Sequence, residues 1–320
     1  MQKTSTDPER HALNGPTMGT RWSALFFAPK GFDPAPLQAA LQAAVDEVDG
    51  QMSTWKPDSD LIRLNAAPVG EWLEVPARLV EVLRLGLDIG EASSGAFDIG
   101  MGDAVSAWGF GSEAARPERI RAALAVPRSP ASDALELDIA AGRLRKLAPV
   151  TLDLNGIAKG YGVDRLVETL AGFGIGSALV GIDGEMRATA LRPDDEAWTI
   201  AVEAPDRTRR APHSILALQD AAVATSGDYR HWVTVNGRDL SHTMDPSKGG
   251  PALKTPASVT VVAPSTAEAD AWATALMVLS VEEGSALARQ HGFSALFLLR
   301  DADGGIRATG VGALFSKQAA

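Results

Sequence analysis

The first hundred residues contain two segments in which apolar residues recur at helical spacing. Pro36 can occupy the first turn of a helix, and the apolar positions from Leu37 to Met52 then fall on one face. Pro76 precedes a second stripe of the same kind, which runs from Leu79 to Leu87. Each stripe predicts an amphipathic helix that packs one side against a core.

Most of the remaining apolar positions alternate or form short runs, which predicts β-strands. The dipeptide Asn236-Gly237 lies between two such runs and is a strong hairpin signal. No internal repeat or linker-like segment is visible, so one compact α/β or α+β unit is expected over residues 16–320, after a loose tail at residues 1–15. The predicted strands are residues 20–27, 150–154, 177–182, 185–190, 198–204, 214–219, 230–235, 238–243, 259–263, 294–299 and 306–313.

The segment from Ala267 to Leu276 places a carboxylate and a hydroxyl on one side of a predicted helix. Ser265 and Glu268 have the spacing of a capping box, so the helix is expected to begin there. Asp270 and Thr274 are four residues apart and share a face that is otherwise apolar. Their oxygens are the kind of ligand that Mg²⁺ and other hard cations prefer. The alternatives are a surface pair, or a threonine bonded to its own helix carbonyl.

A second segment with candidate ligands runs from Thr151 to Gly160. Asp153 lies at the end of a predicted strand, just before a glycine turn that opens a helix. The carbonyl of Gly156 can bind a metal, and Lys159 can meet a phosphate as a point charge. The alternative is that Asp153 only caps the helix and that the glycines only make the turn.

Two loops offer further candidates. His242 precedes Asp245 and a turn rich in Pro and Gly, and imidazole titrates near neutrality, so His242 is a candidate general base. The alternative is that Asp245 stabilises the turn and that His242 is a half-buried strand residue. Trp55 lies among turn-forming residues and can stack on a flat ring, with core packing as its alternative.

Composition excludes several classes of function. The 320 residues include 30 Lys and Arg against 40 Asp and Glu, so the net charge is −10, and without a basic run this argues against nucleic-acid binding. The absence of cysteine excludes disulfides, thiolate catalysis and zinc–thiolate sites. No glycine-rich dinucleotide fingerprint follows an early strand.

Neither an export signal nor an apolar run of membrane-spanning length is present, so we expect a cytoplasmic protein, or a periplasmic one if this is a trimmed mature form.

Short motifs also follow one another in a definite order. They are Pro16-Thr-Met-Gly-Thr20, Met52-Ser-Thr-Trp55, Gly95-Ala-Phe-Asp98, Trp108-Gly-Phe-Gly111, Asp153-Leu-Asn-Gly-Ile-Ala-Lys-Gly160, Ser226-Gly-Asp-Tyr229, His242-Thr-Met-Asp-Pro246 and Asp270-Ala-Trp-Ala-Thr274. As a collinear set they resemble the FAD:protein FMN transferase (ApbE-like) family over nearly the whole chain. The resemblance implies a single flavin transferase domain with a mixed β-sheet core and flanking helices. It also implies Mg²⁺-dependent transfer of FMN from FAD to a Thr or Ser hydroxyl of an acceptor protein, with release of AMP.

The same resemblance implies roles for individual residues. The metal ligands would be the side chains of Asp270 and Thr274 and the carbonyl of Gly156. His242 would activate the acceptor hydroxyl, and Asp270 would be catalytic through the metal. The acceptor would be an electron-transfer subunit or a flavin-carrying reductase domain. The residues expected at or beside the FAD site are Met18, Trp55, Ala96, Phe97, Asp98, Asp153 and Lys159.

Three departures from the family pattern leave the implied ligands intact. Trp55 stands where Tyr is commoner, Asn155 replaces a small residue, and Ser247-Lys248 replaces a pair that ends in Thr. Three rival functions remain: an FAD pyrophosphatase that yields FMN and AMP, a non-catalytic protein that holds FAD intact, and a flavin redox enzyme. The complete ligand set argues against simple binding, and no nicotinamide site is visible to support redox catalysis.

Overall fold

The computed structural model describes residues 8–111, 114–230, 232–235, 237–253, 255–301 and 303–315. Its strands are β1 (Glu9–Thr17), β2 (Thr20–Ala28), β3 (Leu73–Glu74), β4 (Leu135–Asp138), β5 (Arg143–Lys146), β6 (Ala178–Ile182), β7 (Glu185–Thr189), β8 (Trp198–Glu203), β9 (Pro212–Leu218), β10 (Ala221–Gly227), β11 (Trp232–Val235), β12 (Arg238–Ser241), β13 (Met244–Asp245), β14 (Gly250–Pro251), β15 (Ser258–Ala263), β16 (Ser294–Arg300) and β17 (Ile306–Val311). Its helices are α1 (Ala35–Met52), α2 (Asp60–Ala66), α3 (Ala77–Ala92), α4 (Gly102–Ala107), α5 (Pro117–Ala125), α6 (Ala131–Ala134), α7 (Ala158–Gly172), α8 (Thr266–Val278) and α9 (Val281–His291). Among these helices, none is both long and apolar enough to cross a bilayer.

One large sheet organises the fold. Its strands lie in the order β1-β2-β6-β7-β10-β15-β16-β17, and every pairing between them is antiparallel. Successive side chains of a strand point to opposite faces, so Val261 packs in the apolar cluster that contains α8 and Val262 packs against β8 and β9. The expected single domain with a sheet core and flanking helices is confirmed, and the antiparallel pairing makes it α+β rather than α/β.

The loose tail predicted for residues 1–15 is wrong from residue 9 onward, because β1 begins there. β1 pairs with β2 along its whole length, from Glu9 opposite Ala28 to Thr17 opposite Thr20. It is an edge strand with many polar, exposed side chains, so hydrogen bonds to β2 define it more than any apolar pattern. Residues 1–7 lie outside the described part of the chain.

The strand predicted at residues 150–154 is also wrong. Only Thr151 forms a β-bridge, to Met101. The next residue, Leu152, is bonded instead to a side chain: its N–H donates to Asn65 Oδ1 at 2.7 Å, and its carbonyl accepts from Asn65 Nδ2 at 2.9 Å. An amide side chain therefore replaces the neighbouring strand that the sequence led us to expect.

The other predicted elements are confirmed, with strand ends shifted by one or two residues. Helices α1 and α3 follow the two N-terminal stripes, and the hairpin of β11 and β12 forms as predicted, although Asn236 of its turn lies outside the described residues. The capping box is present at the start of α8, where Ser265 Oγ accepts from the Glu268 N–H and the Glu268 carboxylate accepts from the Ser265 N–H.

Helices α7 and α8 approach each other at a glycine. A Cβ atom at Gly160 would lie 2.3 Å from the carbonyl oxygen of Thr266 and 2.8 Å from Cβ of Asp270, so only glycine permits this approach. One turn further along α7, Asp164 accepts hydrogen bonds from the backbone N–H groups of Thr266 and Ala267, both at 2.9 Å. A carboxylate is favoured at that position, because the N-terminus of a helix carries unsatisfied donors and a partial positive charge. The start of α8 is thus fixed to α7 by packing and by hydrogen bonds.

We predict that Gly160→Ala destabilises the protein by about 1–3 kcal/mol or more, because the added methyl group meets a main-chain carbonyl. Gly172, at the end of the same helix, is the matched control, since a Cβ there would meet nothing within 4 Å. Gly172→Ala is expected to be neutral or to stabilise by roughly 0.4–1 kcal/mol. Urea unfolding followed by tryptophan fluorescence measures both, and equal midpoints for the two variants would contradict the close approach.

Candidate functional site

Asp270 is the buried carboxylate at the centre of the site. Asp270 is only 4% exposed, and its Oδ2 accepts a hydrogen bond of 3.1 Å from the N–H of Gly160 at the start of α7. Burial, together with the nearby charge of Glu185, raises the pKa of Asp270 to about 7, while Lys159 and the Gly160 N–H oppose the rise. The carboxylate is therefore held in a setting where its negative charge lacks full compensation.

Lys159 is a cation whose charge acts on this carboxylate. Its Nζ lies 2.8 Å from Oε1 of Glu185 and 3.7 Å from Oδ2 of Asp183. Burial on its own would lower the pKa of Lys159, but the charges of Glu185 and Asp270 outweigh that effect and raise it above the usual value. Burial has the opposite effect on Glu185, whose pKa it raises, although the pairing with Lys159 opposes this rise. Three carboxylates, those of Glu185, Asp183 and Asp270, thus act on one ammonium group.

Thr274 and Gly156 meet across the space between α8 and the loop before α7. A Cβ atom at Gly156 would lie 3.2 Å from Oγ1 of Thr274 and 3.1 Å from the ring of Phe97, so the Gly156 main chain is packed against both. The Thr274 hydroxyl also lies 3.2 Å from the hydroxyl of Ser226 on β10. The two metal ligands expected on α8 and the expected backbone ligand therefore belong to one cluster.

These residues fit a hard cation. Asp270, Thr274 and the Gly156 carbonyl are all oxygen donors, which is the set that Mg²⁺ prefers. Two buried carboxylates against one ammonium leave an excess of negative charge that a cation would neutralise. Within the described residues, no group of three or more His, Cys, Asp or Glu side chains is arranged to hold a metal, so a cation here would need hydroxyl, main-chain and substrate oxygens as well.

Phe97 and Asp98 join this cluster to a neighbouring cavity. Ala96 and Phe97 are buried, and the N–H of Phe97 donates to Ser93 Oγ at 3.0 Å. Asp98 Oδ1 accepts from the N–H groups of Gly100 at 2.7 Å and Ala131 at 3.2 Å, while burial raises its pKa. Both Phe97 and Asp98 line a cavity of about 210 Å³ beside α3. Phe97 therefore borders both this cavity and Gly156.

Asp153 shapes the loop that leads into α7. Its Oδ1 accepts from the Asn155 N–H at 2.8 Å, and its Oδ2 accepts from the Asn155 side chain at 2.9 Å. The N–H of Asp153 donates to the carbonyl of Ile99, which ties this loop to the segment after Asp98. Burial raises the pKa of Asp153 to about 6, opposed by the Asn155 N–H. Asp153 closes the turn rather than capping the helix, because α7 begins at Ala158 without a side-chain cap.

Met18 and Trp55 lie at more open positions. Met18 occupies the turn between β1 and β2 with a φ of 46°, and its Cε lies close to Gly162 of α7, 3.2 Å from where a Cβ would stand. Trp55 is 62% exposed, so the alternative of core packing is wrong for this residue. An exposed indole is available to stack on a flat ligand.

His242 lies on a loop built around a different set of contacts. The imidazole is half-buried and meets the ring of Phe110 edge-on, with centroids 6.3 Å apart. Buried Asp245 accepts from the N–H and the hydroxyl of Ser247 and from the ammonium of Lys248. Burial would raise the pKa of Asp245, but these bonds lower it. The alternative that Asp245 stabilises the turn is therefore correct, whereas His242 is half-buried but lies just after β12 and not within a strand.

The structure brings most of the predicted residues together. Gly156 packs against Thr274 and Phe97. Asp270 lies one helical turn before Thr274 on α8 and accepts from the N–H of Gly160, and the charge of Lys159 acts on it. Asp98 and Asp153 are linked to Phe97 through the loop that follows it. The His242 loop is linked less directly, since Met244 packs on Met101 and Met101 bridges Thr151.

Sequence reasoning missed Glu185 and gave no role to Ser226. Glu185 and Arg187 alternate with apolar residues in β7, a pattern that normally indicates a solvent-facing strand face. Here that face lies under α7, where Glu185 pairs with Lys159 and Arg187 pairs with Asp164 at 2.5 Å. Charges of opposite sign at alternate positions do not distinguish a strand face that lies under a helix from one that meets water, so the sequence alone could not reveal these pairs.

Comparison with known proteins finds similarity along nearly the whole chain. The profile described as ApbE family matches residues 18–297. The chain is 36% identical over 299 residues to the FAD:protein FMN transferase of Vibrio cholerae serotype O1, which covers 92% of this chain and 89% of that protein. The FAD:protein FMN transferase of Klebsiella pneumoniae is 33% identical over 299 residues, with 91% and 85% covered. The apo crystal structure of Pseudomonas stutzeri flavinyl transferase ApbE matches with a TM-score of 0.83 and 36% identity, covering 97% of this chain and 96% of that one.

The raised pKa of Asp153 predicts how stability depends on pH. The native pKa of about 6 exceeds the ordinary value of 3.8, so the folded protein binds this proton more tightly than the unfolded chain, and stability falls as pH rises between these values. Asn cannot ionise, so the melting temperature of Asp153→Asn should rise relative to wild type over this window and then level off. About 1–3 kcal/mol is expected, the lower end allowing for partial exposure. Thermal unfolding in metal-free buffers tests this, and a temperature difference that does not change with pH would contradict it.

Proposed function

This chain belongs to the ApbE family, and we propose from that premise how it transfers FMN from FAD to an acceptor protein. The resemblance first seen in the motifs is confirmed by the family match and by relatives named FAD:protein FMN transferase. FAD is therefore the donor substrate and a protein is the acceptor. The finer proposal is that a Thr or Ser hydroxyl of the acceptor takes the FMN, that Mg²⁺ assists, and that AMP leaves.

The observation that best supports this proposal is the buried Asp270 carboxylate, which feels the charge of Lys159 and lies one helical turn before Thr274, where the Thr274 hydroxyl packs against Gly156. Asp270, Thr274 and the Gly156 carbonyl would hold the Mg²⁺ ion, with oxygens of the FAD pyrophosphate completing its shell. When bound, the ion would supply positive charge to the phosphorus oxygens on which negative charge develops. The charges of Lys159 and Asp270 act on each other, and Lys159 would contribute a second positive charge to the same phosphates.

The remaining expected residues would bind FAD around this centre. Phe97 and Asp98 line a cavity, and Ala96 is buried next to them. The exposed indole of Trp55 offers a stacking face, and Met18 lies at the tip of a hairpin that contacts α7. The first turn of α7 and the loop held by Asp153 would position the pyrophosphate between them. Binding residues are thus proposed on both sides of the candidate cation site.

The reaction would proceed by displacement at the phosphorus atom of the FMN half. The acceptor hydroxyl oxygen forms a bond to this phosphorus, and the bond to the oxygen that bridges to AMP breaks, so AMP departs with that oxygen. His242 would accept the hydroxyl proton, since imidazole accepts protons near neutral pH. Phosphoryl transfer needs mainly positioning and charge stabilisation, which the site offers through Lys159 and the Asp270 cluster.

A denaturing gel tests this proposal directly. The protein is incubated with FAD, Mg²⁺ and candidate acceptors, either an electron-transfer subunit or a flavin-carrying reductase domain, and the gel is viewed under ultraviolet light. A fluorescent acceptor band is expected, together with AMP in an amount equal to the flavin attached. Free FMN and AMP without that band would identify an FAD pyrophosphatase, and unchanged FAD would identify a binding protein.

We predict that Asp270→Ala retains under about 1% of the wild-type transfer rate, a barrier increase of roughly 2.7 kcal/mol or more. Asp270→Asn keeps the volume of the side chain and should be equally inactive, because the carboxylate charge is what the cation needs. Glu282→Ala, at an exposed carboxylate on α9, is the control and should retain full activity. Near-normal transfer by either Asp270 variant at saturating Mg²⁺ would remove Asp270 from the metal site.

We predict that His242→Ala slows transfer by roughly 10²–10⁴-fold and leaves the affinity for FAD unchanged, because the imidazole would act only on the acceptor proton. His213→Ala, at an exposed position on β9, is the control. Single-turnover transfer measures the first effect, and equilibrium dialysis with FAD measures the second. A His242 variant that transfers at the wild-type rate across the neutral pH range would contradict the role of base.

A further inference from the structure

Glu185 is a buried carboxylate that the proposed reaction has not yet used. It is 3% exposed, it begins β7, and its Oε1 lies 2.8 Å from Nζ of Lys159. Its other oxygen, Oε2, is buried and has no hydrogen-bond partner among the described residues. A buried carboxylate is costly, and an unsatisfied oxygen adds to that cost. The fold therefore retains Glu185 against a clear energetic penalty.

A contribution to folding stability does not explain why the protein contains the ion pair between Glu185 and Lys159. A buried pair of charges is often no more stabilising than apolar side chains of the same volume. A second pair already connects the same face of β7 to α7, because Arg187 lies two residues after Glu185 and bonds Asp164 at 2.5 Å. Asp164 in turn caps α8, so the Arg187 pair has a structural role that the Glu185 pair lacks.

The location of the Glu185 pair differs from that of the Arg187 pair in one respect. Lys159 keeps 31% of its side chain exposed, and its charge acts to lower the pKa of Asp270. An ammonium group has three donors, of which one points to Glu185. The pair therefore lies between the buried strand and the open side of the site, where a phosphate would arrive.

We propose that Glu185 is a positioning residue, which holds the ammonium of Lys159 beside Asp270 so that it meets the pyrophosphate of FAD. This inference rests on the proposed function, because it takes the phosphates of FAD as the ligand of Lys159. Without Glu185, the carboxylate that remains within 4 Å of the ammonium group in the described part of the chain is Asp183, at 3.7 Å. Lys159 would then be drawn towards Asp183 and away from the phosphate.

The central test measures FAD affinity without turnover, by equilibrium dialysis in EDTA and without acceptor. Glu185→Gln keeps the shape of the side chain and removes its charge, and it should raise the dissociation constant for FAD by about tenfold or more, as expected for a charge-assisted contact. Lys159→Met should weaken FAD binding at least as much. In the Lys159→Met background, adding Glu185→Gln should change the dissociation constant by less than about twofold, because a residue that acts through Lys159 has nothing left to position.

Two further variants separate positioning from folding. Arg187→Gln breaks the matched pair on the same strand face and should lower the melting temperature while leaving FAD affinity within about twofold of wild type. Glu185→Asp keeps the charge on a shorter side chain and should recover part of the affinity that Glu185→Gln loses. It also serves as the test variant if Glu185→Gln does not fold, in which case it should bind FAD more weakly than Arg187→Gln does.

The outcomes that overturn the proposal are distinct. Wild-type FAD affinity in a folded Glu185→Gln protein would make Glu185 purely structural. Additive losses in the double variant would show that Glu185 acts independently of Lys159. The gel assay of flavin transfer is run separately, so a wild-type protein that binds FAD but labels no acceptor would count against the proposed function and not against the role of Glu185.

Discussion

The close packing of α7 against α8 across Gly160 is the constraint on which the rest of the site depends. With no side chain at Gly160, the two backbones come close enough for the Gly160 N–H to donate to Asp270. Asp164 holds the first turn of α8 from the same helix, so α8 can neither slide nor rotate without losing hydrogen bonds. Asp270 and Thr274 therefore face the start of α7 in one fixed arrangement. A site that positions a phosphorus atom needs this kind of rigidity.

Buried charge is the second consequence of this packing. β7 passes under α7 and presents Glu185 and Arg187 to it, so that charges of opposite sign meet in pairs that are largely shielded from water on the carboxylate side. Each such group is costly to bury, and the pairs recover only part of that cost. The remaining negative charge centres on Asp270, whose pKa is raised to about 7. A cation and a phosphate ligand would complete this arrangement, and we regard it as the electrostatic basis of the proposed chemistry.

The other side of the site is built from loops. The segment around His242 is held by a turn in which Asp245 bonds Ser247 and Lys248, and it packs through Met244 on the loop after the cavity wall. Loops commonly carry the residues that meet a partner, while helices and strands fix the reactive centre. This division suits a transferase with two substrates: the rigid helices would hold FAD, and the loop side would receive the acceptor protein.

The sequence by itself determined much about this protein. Helical spacing predicted α1, α3 and α8, the capping box fixed where α8 begins, and the ordered motifs identified the family and the candidate residues of the site. These features are local, or they are patterns of residue types, so one chain is enough to read them. Tertiary structure decided the rest. Edge pairing with β2 made a strand of residues expected to form a tail, and the side chain of Asn65 replaced a strand partner at Leu152. The pairing of Glu185 with Lys159 joins residues 26 positions apart on different elements, and it exists because the sheet places β7 beneath α7. No local pattern encodes that contact, since the same alternation of charges in a strand would normally face water.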